Sequence, residues 1–94
     1  MIQVRQVFQA KYGKGDELVA LMKEMGRVFP ALKSRILTDA SGPFFTIVTE
    51  HEVASLGDWE RSREIFSDPR FPALFQRMAL LVESGSREFW NIEA

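Results

Sequence analysis

Glu50, His51 and Glu52 place the chain's single histidine between two carboxylates, within the stretch "PFFTIVTEHEV". An imidazole titrates near neutral pH and can take a proton from an acidic C–H or O–H group, so His51 is the candidate catalytic base. The stretch reads as a β-strand. Alternation sends Phe44, Thr46, Val48 and Glu50 to one face, and Phe45, Ile47, Thr49, His51 and Val53 to the other. Glu50 and Glu52 therefore point away from the imidazole, and neither orients it from within the strand. They are either carboxylates presented to a partner sheet or solvated charges at a rim. No second histidine or ordered triad accompanies His51. Its plainer reading is a hydrogen-bonded or exposed residue near a strand end.

The same segment offers three groups able to ligate a metal, but alternation separates them and nothing completes a coordination set. No metal site is expected. The chain has no cysteine, which removes disulfides, thiol nucleophiles and thiolate metal sites. Any redox chemistry would need a bound molecule, and no resident cofactor is expected. Four further residues are candidates for holding a ligand: Arg5, Glu50, Trp59 and Trp90. Arg5, like Arg63, can grip an anionic group through paired N–H donors, or simply form a surface salt bridge. Trp59 falls one turn into a helix after Leu56, the position of a core anchor, and Trp90 in the last strand can line a pocket or cover a sheet edge. Met22, Met25 and Met78 fall on helical stripes and read as adaptable core.

These side chains must be positioned by a small set of elements. Residues 2–10 alternate, with Ile2, Val4, Phe8 and Ala10 on one face and Gln3, Arg5, Val7 and Gln9 on the other, which predicts a strand. In "KYGKGDE" the glycines permit positive φ, and Asp16 can accept from the free N–H groups of a starting helix. Leu18, Leu21, Met22, Met25, Val28, Phe29 and Leu32 then form an amphipathic stripe that Pro30 should end. Gly26 is tolerable there if another backbone comes close.

A second strand over 34–38, the turn "DASGP" and the strand at 43–53 should form a hairpin. Ser55 and Asp58 open a helix in the manner of a capping box, with Leu56, Trp59, Arg63 and Phe66 following. "SDPRFP" interrupts the pattern, since Ser67 or Asp68 can cap and Pro69 suits a first helical position. The result is a helix broken near Pro69, residues 55–67 and 70–83. "ESGS" then serves as a turn before a last strand in "REFWNIE". The order βαββαβ predicts one α+β domain, residues 1–94, of ferredoxin-like architecture: a four-stranded antiparallel sheet with strands one and three central and the helices on one face. Its other face is left bare. Phe44, Val48, Phe8 or Val7 directed there would form an apolar patch that a second copy could cover.

"YGKGDELVALMKEM", "EHEVASLGDWE" and "FSDPRFPALFQRMALLVESGSREFW" resemble the dimeric α/β-barrel superfamily, especially small NIPSNAP-like proteins and, more distantly, antibiotic biosynthesis monooxygenase-like proteins. The resemblance spans nearly the whole chain and lies in structural motifs. It implies a homodimer whose sheets pack into a barrel, with a cavity between sheet and helices that takes a small hydrophobic molecule. It also implies a choice of activities, from cofactor-free oxygenases and lactone isomerases to haem-degrading enzymes and members with no assigned activity. The haem-degrading branch pairs an asparagine on the first strand with a histidine on the second helix. Here the only asparagine is Asn91 and the helices carry no histidine, which counts against that branch. The expected function is binding of a small apolar organic molecule, with oxygenase- or isomerase-like chemistry; the alternative is a non-enzymatic module that uses the bare face only to oligomerise.

Length and composition are consistent with this. Ninety-four residues, 46% hydrophobic and 27% charged, suit one globular domain. At this size folding hides only roughly 60–65% of the unfolded chain's surface, so a second copy adds useful burial. Net charge is −1 and the basic residues are scattered, so no nucleic-acid partner is expected. No apolar run reaches the roughly 18 residues of a membrane span, and the alternating N-terminus does not resemble a signal peptide. A cytoplasmic location is the default expectation.

Overall fold

Alternation over the N-terminal residues produces strand β1, Ile2–Ala10, at the centre of the sheet in the computed structural model, which describes Met1–Ala94. Helix α1, Gly15–Val28, follows, then a 3-10 turn at Pro30–Leu32 and strands β2, Arg35–Thr38, and β3, Thr46–Val53. Helix α2 spans Leu56–Ser62 and tightens into a 3-10 segment, Arg63–Ser67, before α3, Phe71–Leu81, and strand β4, Val82–Asn91. All pairings are antiparallel, in the order β2-β3-β1-β4. This is the expected ferredoxin-like topology, with the first and third strands central and the helices on one face.

The core lies between sheet and helices. Val4, Leu18 and Ile47 are its largest fully buried side chains, each worth about 1.5–3 kcal/mol of burial. Ala10, Leu18, Met22 and Ile47 form one cluster beneath α1; Leu21, Met25, Phe29 and Leu74 join α1 to α3. Met78 packs against both, so the methionine stripe is core, as its spacing predicts.

Several local details differ from the sequence reading. Helix α1 begins at Gly15 with no side-chain cap, and Asp16 acts within the first turn, where its charge favours the helix dipole. Gly13 does take a positive φ of 79°, whereas Gly15 is favoured by proximity: an added Cβ would lie 3.0 Å from the Phe45 ring, a tight contact that the ring would have to relieve. Phe8 faces the helices and packs on the core. Phe44 lies before β3, exposed beside Tyr12, and does not belong to the open sheet face.

The largest boundary difference is at β4. "ESGS" is not a turn: the chain passes directly from Leu81 into the strand at Val82. Gly85 lies opposite Phe8 in the ladder, and a Cβ there would be in ordinary contact with the Phe8 ring, 3.4 Å from its Cδ1. Other expectations hold. Pro30 follows the helix end at Phe29, Ser55 Oγ accepts from Asp58 N at 3.2 Å, and the break near Pro69 is secured by Asp68 Oδ1 accepting from Arg70 N at 2.8 Å. The Lys33 backbone does pass Gly26, but a Cβ there would meet Lys33 Cα at 3.6 Å, an ordinary contact, so the approach is not close enough to demand a glycine.

Candidate functional site

The strand registers assign each candidate residue to a side of the sheet. Toward the helices, Val4 pairs with both His51 and Phe89, and Gln6 pairs with both Thr49 and Arg87. On the open side, Arg5 pairs with both Glu50 and Glu88, and Gln3 with Trp90. The five candidates are thus divided. His51 and Trp59 belong to the helix-facing side, and Arg5, Glu50 and Trp90 to the open side.

On the helix-facing side, His51 is half-buried, and burial alone pushes its pKa below the ordinary 6.5, favouring the neutral ring that a base requires. Trp59 is half-buried, not the core anchor its spacing suggested. Its ring meets Phe89 edge-on with centroids 5.1 Å apart. The Arg87 guanidinium lies 4.7 Å from the Trp59 ring centroid and that of Arg63 lies 5.6 Å from it. Arg63 also pairs with Glu60 at 3.3 Å; Arg87 is in no ion pair and keeps its charge available.

Gln6, Thr49 and Arg87 were not singled out from sequence. Gln6 had a legible signal, since it interrupts the series Ile2, Val4, Phe8, Ala10 at the middle of a central strand. Thr49 is buried and Gln6 half-buried. Neither makes a side-chain hydrogen bond, yet no buried side-chain polar atom lacks a partner. Their polar atoms therefore retain contact with solvent within the helix-facing layer. The arrangement provides a polar floor of Gln6, Thr49 and His51, with an aromatic wall of Trp59 and Phe89 and a cation at Arg87. Such a surface can hold a flat apolar body and hydrogen-bond its polar edge.

The open side has different chemistry. Arg35 Nη2 donates to Glu50 Oε1 at 2.6 Å, Arg5 Nε lies 3.8 Å from Glu88 Oε1, and Trp90 Nε1 donates to Glu88 Oε1 at 3.1 Å. Beside these charges the register aligns Leu37, Val48 and Val7. No group of three or more His, Asp or Glu residues is placed to hold a metal ion, and no helix is long and apolar enough to cross a membrane.

A concavity of about 630 Å³ lies on the outer side of α1 and α3 and contains none of the five candidates. Four of its five charges are paired, Arg77 with Glu24 at 2.8 Å and Lys14 with Glu17 at 3.3 Å, and Arg27 is in no ion pair. The Arg77 hydrogen bond holds Glu24 below the usual carboxylate range. This widely open groove is lined by charged and aliphatic residues with no aromatic surface, which makes it a poorer site for a flat organic molecule than the helix-facing floor.

Solved structures share this fold. A NIPSNAP family protein from Agrobacterium tumefaciens is 24% identical, with a TM-score of 0.85 over 96% of this chain and 90% of its own. An uncharacterised NIPSNAP domain protein from Burkholderia xenovorans is 19% identical, with a TM-score of 0.86 over 100% of this chain and 96% of its own. An antibiotic biosynthesis monooxygenase is 14% identical, with a TM-score of 0.74 over the full length of both chains. No protein-family model matches the sequence, and no curated protein matches it either.

Proposed function

We propose that this chain is a homodimeric binding protein for a small, flat, largely apolar organic molecule that carries a polar edge. The observation that carries the reading is the solvent-accessible polar floor of Gln6, Thr49 and His51 inside an otherwise apolar layer, beside Trp59 and Phe89. The apolar body would lie against the aromatic pair, and the polar edge would meet Gln6, Thr49 and Arg87. His51, held neutral, is the group able to remove a proton from the ligand. That step suits isomerase chemistry or the first stage of a cofactor-free oxygenation. The similarity in fold to a monooxygenase supports including oxygenation in a screen. In this reading Arg5, Glu50 and Trp90 serve assembly, and the open faces of two copies close the barrel.

The surface supports assembly. The chain exposes 6370 Å², against about 5,500 Å² from the scaling for folded monomers at 10.8 kDa. The excess of roughly 800 Å² is comparable to one side of a standard interface. The alternative, a module that assembles without binding a small molecule, is favoured by the absence of candidates from the concavity between α1 and α3.

Thermal unfolding with a panel of aromatic and polyketide-like molecules separates the two. A binder at a hundredfold excess over its Kd adds about 2.7 kcal/mol to the folded state, enough to raise Tm by more than about 10 °C. The Trp59→Ala variant should lose that shift. A panel with no shift, or a shift that survives both Trp59→Ala and Gln6→Leu, removes the proposed site. A monodisperse monomer at micromolar concentration removes the dimer.

A further inference from the structure

The three strand pairings align Arg35, Glu50, Arg5 and Glu88 in a single row across all four strands of the open face. The signs alternate: plus, minus, plus, minus. Within the chain the row separates into two ion pairs, Arg35 with Glu50 at 2.6 Å and Arg5 with Glu88 at 3.8 Å. The central neighbours Glu50 and Arg5 are opposite in register but are not among the ion pairs, so the row is unjoined at the midline of the sheet.

From this we infer that two copies meet face to face about a two-fold axis running along the strands between β3 and β1, with Arg5 of each copy against Glu50 of the partner subunit. The inference rests on the homodimer proposed above and adds its orientation and register. An even row of alternating charge is its own complement when reversed. An axis along the strands reverses the row, so every arginine meets a glutamate. An axis across the strands instead lays each residue on its own copy, arginine on arginine and glutamate on glutamate, which is repulsive at four positions.

The adjacent row supports the same axis. It runs Leu37, Val48, Val7, Ser86, and reversal places Val48 against Val7 of the partner subunit on both sides of the axis. The apolar centre and the charge match then occur in adjoining rows. Aligned sheets pack about 10 Å apart and rotated by about 30°, so residues beside the axis stay opposed while those on the outer strands drift. Arg5 and Glu50 on the central strands should therefore dominate, and Arg35 and Glu88 should matter less. Because each charge must lose water to be covered, the row specifies orientation more than it adds affinity.

Sedimentation of Arg5→Glu and Glu50→Arg, alone, mixed and combined in one chain, tests the axis. Each single reversal should weaken its homodimer by at least about tenfold, since two facing pairs become like-charged. Mixing the two variants should restore a heterodimer. Combining both changes in one chain should restore the homodimer. Arg5→Glu should also bind the unaltered chain less tightly than that chain binds itself. An axis across the strands gives the opposite pattern: Arg5→Glu homodimers as strong as before, and tighter pairing with the unaltered chain.

That pattern, or two single variants of undiminished association, overturns the inference and leaves the homodimer standing. A monomeric unaltered chain removes the homodimer and this inference with it. Circular dichroism checks that each variant folds. If a reversal does not, Arg5→Gln and Glu50→Gln in a double-mutant cycle of association replace it, and zero coupling between them overturns the inference.

Discussion

Ile47 and Val48 are neighbours in β3, yet they belong to two different surfaces. Ile47 is 1% exposed beneath α1, whereas Val48 is only partly covered and faces the side that has no helices. The same alternation places His51 in the layer of Val4 and Phe89, and Glu50 in the row of arginines and glutamates. One face is a core interrupted by three polar groups; the other is an apolar row flanked by charges in ion pairs. A fold completed by its own helices needs the first face alone. The second has organised chemistry that the single chain leaves unused, and this is the physical argument for assembly.

The largest effect that can break this comparison is on stability. Ile47→Ala should destabilise the fold by about 2–5 kcal/mol, through lost burial and the cavity left in the core. Val48→Ala should cost the isolated chain less than about 1 kcal/mol, because the side chain has no helix packed over it. Val48→Asp should abolish the dimer while leaving a folded monomer, since it places an unpaired charge where a valine would be covered. Urea unfolding and sedimentation on the three variants provide both readings. Equal stability losses at positions 47 and 48, or an intact dimer in Val48→Asp, would show that the two faces are not as different as the register makes them.

A smaller effect belongs to the helix-facing side and depends on pH. Burial lowers the folded-state pKa of His51 below the 6.5 of the unfolded chain. The unfolded state therefore binds the proton more readily. Stability from this group is complete above about pH 6.5 and is lost as pH falls through the lower folded value. Tm measured from pH 7.5 to 5 should fall in the unaltered chain, and His51→Gln should flatten that part of the curve. The carboxyls of Glu24 and Asp68, both held low by arginines, titrate further down and leave the window clear. An identical slope in His51→Gln would mean that the ring is as hydrated as in the unfolded chain, and the neutral base of the proposed site would go with it.

Much of this contrast can be read from residue order. Alternation alone put Ile47 and Val48, and His51 and Glu50, on opposite sides. Element order placed β1 and β3 in the centre. What could not be read was anything that depends on register. The charge row joins residues from four strands, and a shift by one position in any ladder would dissolve it. Nor could local spacing show that Arg87 stacks on Trp59, a contact between the last strand and the second helix. The reading of "ESGS" as a turn fails for the same reason: these residues lie inside β4 because they pair along β1, with Ser84, Gly85 and Ser86 opposite Gln9, Phe8 and Val7. Gln6 is the exception, because it is visible in the sequence as a polar break in the apolar series Ile2, Val4, Phe8, Ala10.

The smallest predicted effect sharpens the comparison most. If the charges of the open face serve assembly, removing one should scarcely affect the fold of a single chain. Glu88 is suited to this test. Its contact with Arg5 is long, 3.8 Å, and the two side chains are 42% and 44% exposed. Water and salt screen such a pair, which leaves about 0.5 kcal/mol or less at stake. Glu88→Gln removes the charge but keeps an oxygen that can accept from Trp90 Nε1, so packing is preserved while the ion pair is lost. In the monomeric Val48→Asp background, urea unfolding should give nearly the same stability with and without Glu88→Gln, and raising salt to 0.5 M (about 4 Å of screening length) should erase any remainder. A loss above about 1 kcal/mol would instead assign the row to holding β4 onto β1. The open face would then be part of the fold's own cohesion, and its alternating charges would no longer call for a second copy.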